Sequence, residues 1–282
     1  MPVIEEVDEN ELVDGDEQQD RGSRTTPPAG GGGGYNWGAM MEHIGNNKID
    51  AGLWVARVFI IVCSFLYIIP IYGPQAAMGS YQRALICNGL VSALRLHQRL
   101  PQFQFNREYL GLLLLEDSCH NLLYSLIFAN SYPITLALTP VFLFAILHSV
   151  SFTRKLINLL GPTALMPVRK LTDKLISSQV QILRFIALDE IFIMPCIIFM
   201  MFTGRVSLLV PFMYFRFLTF RYASRRNPYC KQIFHEMRIV TENYCQKETT
   251  PAFIKNFLTK CITMLSRFAP QIAQQPPQQP AQ

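Results

Sequence analysis

Five apolar segments constrain the fold of this chain more than any other feature. They cover residues 53–73, 109–130, 133–153, 182–203 and 205–222. An α-helix needs about 20 apolar residues to cross the roughly 30 Å hydrocarbon core of a bilayer. Half of all residues are hydrophobic and only 16% are charged, a balance typical of membrane proteins. The pattern predicts an all-α fold, a polytopic bundle of membrane-spanning helices.

Two of the five segments predict a span less firmly than the others. The second contains three ionisable residues in its middle, and the fifth contains Arg216. Residues 80–99 form a further, less apolar helix that could lie at the membrane interface or pack into the bundle. The number of spans therefore stays open at this stage.

The two ends of the chain differ in composition from the middle. Nine of the 20 acidic residues lie in the first twenty positions, residues 30–34 are a run of five glycines, and residues 271–282 are mostly Gln, Pro and Ala. Such segments cannot bury enough apolar surface to fold. We expect two disordered tails, a transmembrane domain over 48–222 and a basic helical region over 223–270.

Polar residues inside the apolar segments form the first candidate site. On a continuous helix, the polar residues between Glu116 and Tyr124 fall within an arc of about 140°. His120 could pair with Glu116 or Asp117 at helical spacing. The predicted buried network comprises Glu116, Asp117, His120, Asn121, Tyr124, Asp189, Glu190 and Arg216, with Arg216 as the counter-charge.

Two functions fit such a network. Ionisable residues within a membrane often mark a catalytic, metal or proton-conducting site, but they also lock helices in register. The chain has no HExxH, GxSxG or P-loop motif, and its seven cysteines have no CxxC spacing. We therefore expect no catalytic residue, no metal and no cofactor, and we interpret the network as structural. An intramembrane enzyme or an ion or proton pathway is the alternative.

The basic C-terminal region is the second candidate site. Asn227-Pro228 and Thr250-Pro251 each predict a helix start, because a capping residue precedes a proline suited to the first turn. Each helix has one apolar face and one basic face, which is typical of a helix lying in the membrane interface. The predicted membrane-surface residues are Arg221, Arg225, Arg226, Phe253, Phe257, Leu258, Lys255, Lys260 and Arg267. The alternative is a helical hairpin that packs its apolar faces together or on the bundle.

The charge of the chain favours lipid as a partner. Beyond the acidic first twenty residues, the chain carries 25 basic and 11 acidic residues. A few basic residues near a membrane each gain about 1 kcal/mol from anionic lipid. No segment is similar to a nucleic-acid-binding module, so no nucleic-acid partner is expected.

Three long strings resemble the transmembrane protein 33 family: "YQRALICNGLVSALRLHQRLPQFQ", "LLEDSCHNLLYSLIFANSYP" and "FLTFRYASRRNPYC". The resemblance covers roughly residues 45–270. It implies a multi-pass protein of the endoplasmic reticulum and nuclear envelope that shapes membrane tubules. It also implies reticulon-type partners, association with nuclear pore components and a C-terminal amphipathic region that touches membrane. The family pattern carries no catalytic residues, and it does not cover the acidic tail.

Overall fold

A computed structural model describes residues 35–100, 106–161, 164–224, 227–246 and 251–268. Within these ranges the chain forms eleven α-helices and no β-strand, which confirms the all-α prediction. The helices are α1 (Trp37–Asn46), α2 (Lys48–Ile68), α3 (Pro74–Arg99), α4 (Arg107–Leu115), α5 (Asp117–Ala129), α6 (Thr135–Leu160), α7 (Met166–Ser177), α8 (Gln179–Phe202), α9 (Leu209–Ala223), α10 (Tyr229–Gln246) and α11 (Ala252–Phe268).

The helices belong to two compact units. The first unit comprises Met1–Val91 and Leu138–Ile182, and the second comprises Ser92–Ala137 and Leu183–Gln282. Both predicted sites lie in the second unit. The first unit is held together by polar contacts between α2 and α6: the Trp54 indole donates to the Thr153 hydroxyl at 2.9 Å, and Arg57 donates to the His148 carbonyl at 3.1 Å.

Within the described part of the chain, three helices are long and apolar enough to cross a membrane. They are α2, α6 and α8, with 21, 26 and 24 residues. They overlap the first, third and fourth predicted spans. Large apolar side chains such as Phe65, Phe192 and Phe199 are exposed on these helices, as expected for faces that contact lipid.

The second and fifth predicted spans have a different structure. Residues 109–130 do not form one helix, because Glu116 is extended (φ −81°, ψ 127°) and separates α4 from α5. Helix α5 has 13 residues and α9 has 15. At 1.5 Å per residue they measure only about 20 and 22 Å, short of the roughly 30 Å hydrocarbon core. Asp117 follows the break, where a carboxylate stabilises the start of a helix.

Two further boundaries differ from the sequence-based prediction. The weak helix predicted over 80–99 extends over all of α3, and its side chains Tyr81 and Leu85 are fully buried, so this helix packs into the protein. Helix α1 lies inside the segment predicted to be a tail, and the Asn36 side chain caps it by accepting the Ala39 N–H at 3.1 Å. Residues 1–34 and 269–282, which contain the rest of the predicted tails, lie outside the described residues.

A buried polar cluster as the candidate functional site

Five side chains meet where α5, α8 and α9 of the second unit contact one another. We define the polar cluster as Asp117, His120, Glu190, Arg221 and Ser224. Asp117 begins α5, Arg221 and Ser224 lie at the end of α9, and Glu190 lies at the middle of α8. The break before α5 and the end of α9 thus bring polar residues at two helix termini to a carboxylate in the middle of a third helix.

Arg221 is the centre of the polar cluster. Its Nε lies 3.1 Å from Glu190 Oε2, and its Nη2 lies 3.0 Å from Glu190 Oε1, so two donors of the guanidinium contact both carboxylate oxygens. The two side chains are only 1% and 2% exposed. A two-point Arg–carboxylate pair fixes orientation as well as distance. This pair therefore ties α8 to α9 in one register.

Asp117 connects the polar cluster to α5. The Ser224 hydroxyl donates to Asp117 Oδ1 at 2.9 Å, and Arg221 Nη1 lies 3.6 Å from the same oxygen. The Ser224 hydroxyl oxygen also accepts the backbone N–H of Asn227 at 3.2 Å. Through Asp117, the start of α5, the end of α9 and the approach to α10 share one set of contacts.

His120 connects the broken ends of α4 and α5. Its Nε2 lies 2.8 Å from the carbonyl oxygen of Leu114. A carbonyl can only accept, so Nε2 carries the proton of this hydrogen bond. Its Nδ1 lies 3.6 Å from Asp117 Oδ1, and its ring stacks on Phe220. His120 thus satisfies a carbonyl that the helix break leaves without its usual partner.

Glu116 does not join the polar cluster. Its Oε2 lies 3.6 Å from Arg99 Nη1, and both side chains are partly exposed. The predicted pair between Glu116 and His120 assumed a continuous helix and is wrong, because Glu116 is outside α5. The predicted pair between Asp117 and His120, three residues apart within α5, is found.

The prediction that Arg216 is the counter-charge of the buried carboxylates is also wrong, because Arg221 has that role. Arg216 is exposed and lies over the Phe212 ring, 5.6 Å from its centroid. Arg221 was predicted at the lipid headgroups, but it is buried on the same face of α9 as Tyr214, Phe217 and Leu218. Helix periodicity explains the difference, since residues three, four and seven before Arg221 are its neighbours on the helix surface.

The remaining predicted network residues lie around the polar cluster. Tyr124 is buried, and its hydroxyl donates to the Ala137 carbonyl at 2.8 Å. Asn121 is half-buried, and its carbonyl accepts the Ser125 hydroxyl. Tyr214, which sequence reasoning missed, donates its hydroxyl to the Glu190 carbonyl at 2.7 Å. The Tyr124 contact joins α5 to α6, and the Tyr214 contact joins α9 to α8.

Asp189 differs from the other buried carboxylates. Its side chain is 6% exposed, and its Oδ2 has no hydrogen-bond partner among the described residues. The neighbouring residue on α8 is Glu190, whose negative charge disfavours a second one beside it. Asp189 therefore lies next to the polar cluster, and no described residue is the counter-charge of its Oδ2.

The arrangement of the polar cluster fits a structural role. Burying a charge is costly unless it is paired and hydrogen-bonded, and Arg221 compensates the charges of Glu190 and Asp117 together. Among the described residues, no group of three His, Cys, Asp or Glu side chains is arranged to hold a metal ion. What the cluster does chemically is to hold three helix ends together.

Helix α10 starts beside the polar cluster and is attached to α8. Tyr229, Cys230 and Ile233 are buried, and Arg184 Nη2 lies 2.8 Å from both carboxylate oxygens of Glu236. Burial raises the pKa of the Cys230 thiol to about 12, and the nearby carboxylate of Glu190 adds to this shift. The first turns of α10 are therefore part of the folded second unit.

The faces of the C-terminal helices that the sequence predicts to be apolar are only partly covered in the described residues. Helix α10 contacts α11, as the hairpin alternative predicts. Val240 and Phe253 remain exposed, Leu258 and Lys255 are half-buried, and Lys260 is exposed. The other predicted surface residues, Arg225 and Arg226 and the side chains of Phe257 and Arg267, lie outside the described residues.

Comparison with known proteins assigns the family. The sequence pattern of the family described as "Transmembrane protein 33/Nucleoporin POM33" matches residues 35–271. The chain belongs to this family. The match includes the polar cluster and both C-terminal helices, so the family assignment covers every residue of the two candidate sites.

Curated relatives cover nearly the same part of the chain. The chain is 49% identical to transmembrane protein 33 of Rattus norvegicus over 233 residues, which is 83% of this chain and 94% of the rat protein. The identity is also 49% with the Homo sapiens protein, over 82% of this chain and 94% of the relative. Krueppel homolog 2 of Drosophila melanogaster is 39% identical over 83% of each chain. No solved structure matches.

Proposed function

We propose that this member of the transmembrane protein 33 family organises membrane shape in the endoplasmic reticulum and nuclear envelope through lipid and protein contacts. The family name, which includes a nucleoporin, supports a place at the nuclear envelope. The three candidate spans support a multi-pass protein. The family is named for its membrane topology and its nucleoporin members and not for a reaction, which supports a non-enzymatic role.

The attachment of α10 to α8, a candidate membrane span, carries the proposal, together with the amphipathic pattern that the sequence predicts for the C-terminal helices. The pair between Arg184 and Glu236 and the buried start of α10 fix this attachment. An amphipathic helix that inserts its apolar face into one leaflet prefers loosely packed, curved membranes. A helix pair held beside the spans inserts into the membrane around those spans. The whole protein therefore prefers curved membranes.

Replacement in cells tests the proposal. Cells that lack their own family member receive the full chain, and the lengths of reticulum tubules and the distribution of nuclear pores are measured. The wild-type chain should restore both. Leu258→Asp should restore them poorly, because it places a charge on the apolar face of α11. Thr259→Asp places the same charge on the exposed neighbouring residue, so it should behave as wild type.

Two outcomes would contradict the proposal. If the wild-type chain inserts into the reticulum but restores neither tubules nor pores, membrane organisation is not its function. If both Asp variants fail equally while their membrane insertion is unchanged, the added charge and not the apolar face accounts for the loss. Insertion is measured by resistance to extraction with carbonate.

The proposed partners are membrane lipids, reticulon-type membrane proteins and nuclear pore components. The family name supports the pore components. The reticulon-type partners follow from the family resemblance and are tested by co-purification of the tagged full chain in mild detergent. Failure of both protein classes to co-purify would leave lipid contacts as the basis of function.

A second function, an ion or proton pathway, is favoured by Asp189. Its buried Oδ2 without a described partner is the kind of group that exchanges protons in membrane proteins. Proton flux into liposomes that contain the purified chain tests this function. Flux that Asp189→Asn abolishes would support the pathway, and equal leakage with and without protein would exclude it.

A further inference from the structure

An apolar groove lies between the second half of α8 and the first half of α9. Its volume is about 830 Å³. It is lined by Met194, Ile198, Met201, Leu208, Leu209, Pro211, Phe212 and Phe215. All eight lining residues are apolar, and ligand sites in proteins typically measure roughly 300–1,000 Å³. The groove is open along one side and apolar throughout, so it offers a surface for an apolar chain and no polar lining side chain.

The two helices run antiparallel along the groove, which gives it an outer and an inner end. Met201 and Leu208 flank the turn between α8 and α9, whereas Met194 and Phe215 are farther from it along each helix. Helix α8 is a candidate membrane span, so the groove opens at the depth of lipid chains. Its outer end lies where α8 leaves the apolar layer.

Two residues at the outer end of the groove are of types that occur at the level of lipid headgroups. Arg205 lies in the turn, is exposed, and has its guanidinium carbon 5.5 Å from the centroid of the Tyr132 ring. Tyr132 itself is about half exposed. Tyrosine is enriched at membrane–water interfaces, and arginine binds phosphate and carboxylate through two donors at once. The turn that adjoins the outer end of the apolar groove, between Met201 and Leu208, therefore carries an exposed cation.

We propose that this groove binds one phospholipid with an anionic headgroup. One acyl chain lies along the groove between α8 and α9, and Arg205 contacts the headgroup through its phosphate and its additional carboxylate. Charge complementarity at the outer end and the all-apolar lining along the groove match the two parts of such a lipid. The flexible side chains of Met194 and Met201 adapt to a chain that has no fixed conformation.

Photo-crosslinking in nanodiscs tests the proposal. The full chain is reconstituted with phosphatidylserine that carries a diazirine on one acyl chain, and crosslinked peptides are identified by mass spectrometry. Crosslinks should concentrate on groove residues. Ile198→Trp fills the groove and should lower crosslinking there to the level of the other lipid-facing surfaces. Phe199→Trp adds the same ring at the neighbouring position outside the lining, so it should leave groove crosslinking unchanged.

The headgroup contact has its own matched pair of variants. Wild type should prefer the phosphatidylserine probe to a phosphatidylcholine probe by roughly fivefold, since one basic residue near anionic lipid contributes about 1 kcal/mol. Arg205→Gln should remove this preference. Arg107→Gln removes an exposed cation at the start of α4, outside the groove lining, and should keep this preference.

Three results would overturn the proposal. Crosslinks spread evenly over α8 would mean that no lipid site exists. Equal effects of Ile198→Trp and Phe199→Trp would mean that the groove is not the binding place. A second protein crosslinked at the groove in native membranes, without lipid, would make this surface a protein interface. Thermal melts of each variant verify folding, and Arg205→Gln leaves the groove itself intact.

Discussion

Replacing Arg221 with Met should destabilise the second unit strongly. The change leaves the Glu190 carboxylate, which is 2% exposed, without its counter-charge. Three hydrogen bonds join the two side chains. At about 0.6 kcal/mol for each hydrogen bond inside a membrane, their loss costs about 2 kcal/mol, and stranding a buried charge in soluble proteins costs about 3–5 kcal/mol. The expected loss of stability is therefore about 2–5 kcal/mol.

Thermal unfolding of the purified full chain measures this loss. For chains of 150–250 residues, 1 kcal/mol corresponds to about 2–4 °C, so the melting temperature should fall by roughly 4–20 °C. The assay is circular dichroism at 222 nm, because Trp37 and Trp54 both belong to the first unit and their fluorescence would not report on the second. Every helix contributes to the dichroism signal.

Arg216→Met is the matched control for this experiment. Arg216 is exposed and contacts the Phe212 ring, an interaction worth about 0.5–1 kcal/mol at an exposed site. A combined Glu190→Leu and Arg221→Met variant should melt above Arg221→Met alone, because it removes the stranded charge. If both single Arg variants lower the melting temperature by the same few degrees, the polar cluster does not stabilise the helices and the reasoning is refuted.

Three further predictions concern other parts of the chain. His120→Leu should lower the melting temperature, because it leaves the Leu114 carbonyl without its donor, and an unchanged melt would mean that water satisfies this carbonyl. Cys230 should resist maleimide at pH 8 in the folded protein, because its raised pKa of about 12 keeps the thiol protonated. The same thiol should react in denaturant, and rapid labelling of the native protein would contradict its burial. By circular dichroism, a peptide of residues 251–268 should be unfolded in buffer and helical on small anionic vesicles. A peptide that stays unfolded on every vesicle would argue that this segment packs against α10 instead.

Hydropathy predicted the three described helices that are long and apolar enough to cross a membrane. Helices α2, α6 and α8 are mostly apolar, so their position follows from sequence with errors of one to seven residues at each end. The break at Glu116 was missed because the helical-wheel argument assumed a continuous helix through residues 109–130. The run Glu116-Asp117-Ser118 was the available signal, since acidic and hydroxyl residues favour the start of a helix.

The choice between two arginines on α9 shows where the prediction of the site failed. Arg216 was selected because it lies in the middle of an apolar segment. Arg221 is the buried one, because it follows Tyr214 and Phe217 by seven and four residues on the same face. Which face of a helix is buried depends on its neighbours, and the sequence of a helix that is apolar all round does not reveal it.

The central claim is that the chain organises membranes and does not conduct ions, and one preparation tests both halves. Purified full chain is reconstituted into liposomes, which are imaged by electron cryomicroscopy and assayed for proton flux with a pH-sensitive dye. The account predicts tubules or highly curved vesicles, with proton flux equal to that of protein-free liposomes. Spherical vesicles of unchanged size that show a proton flux, lost in Asp189→Asn, would contradict it.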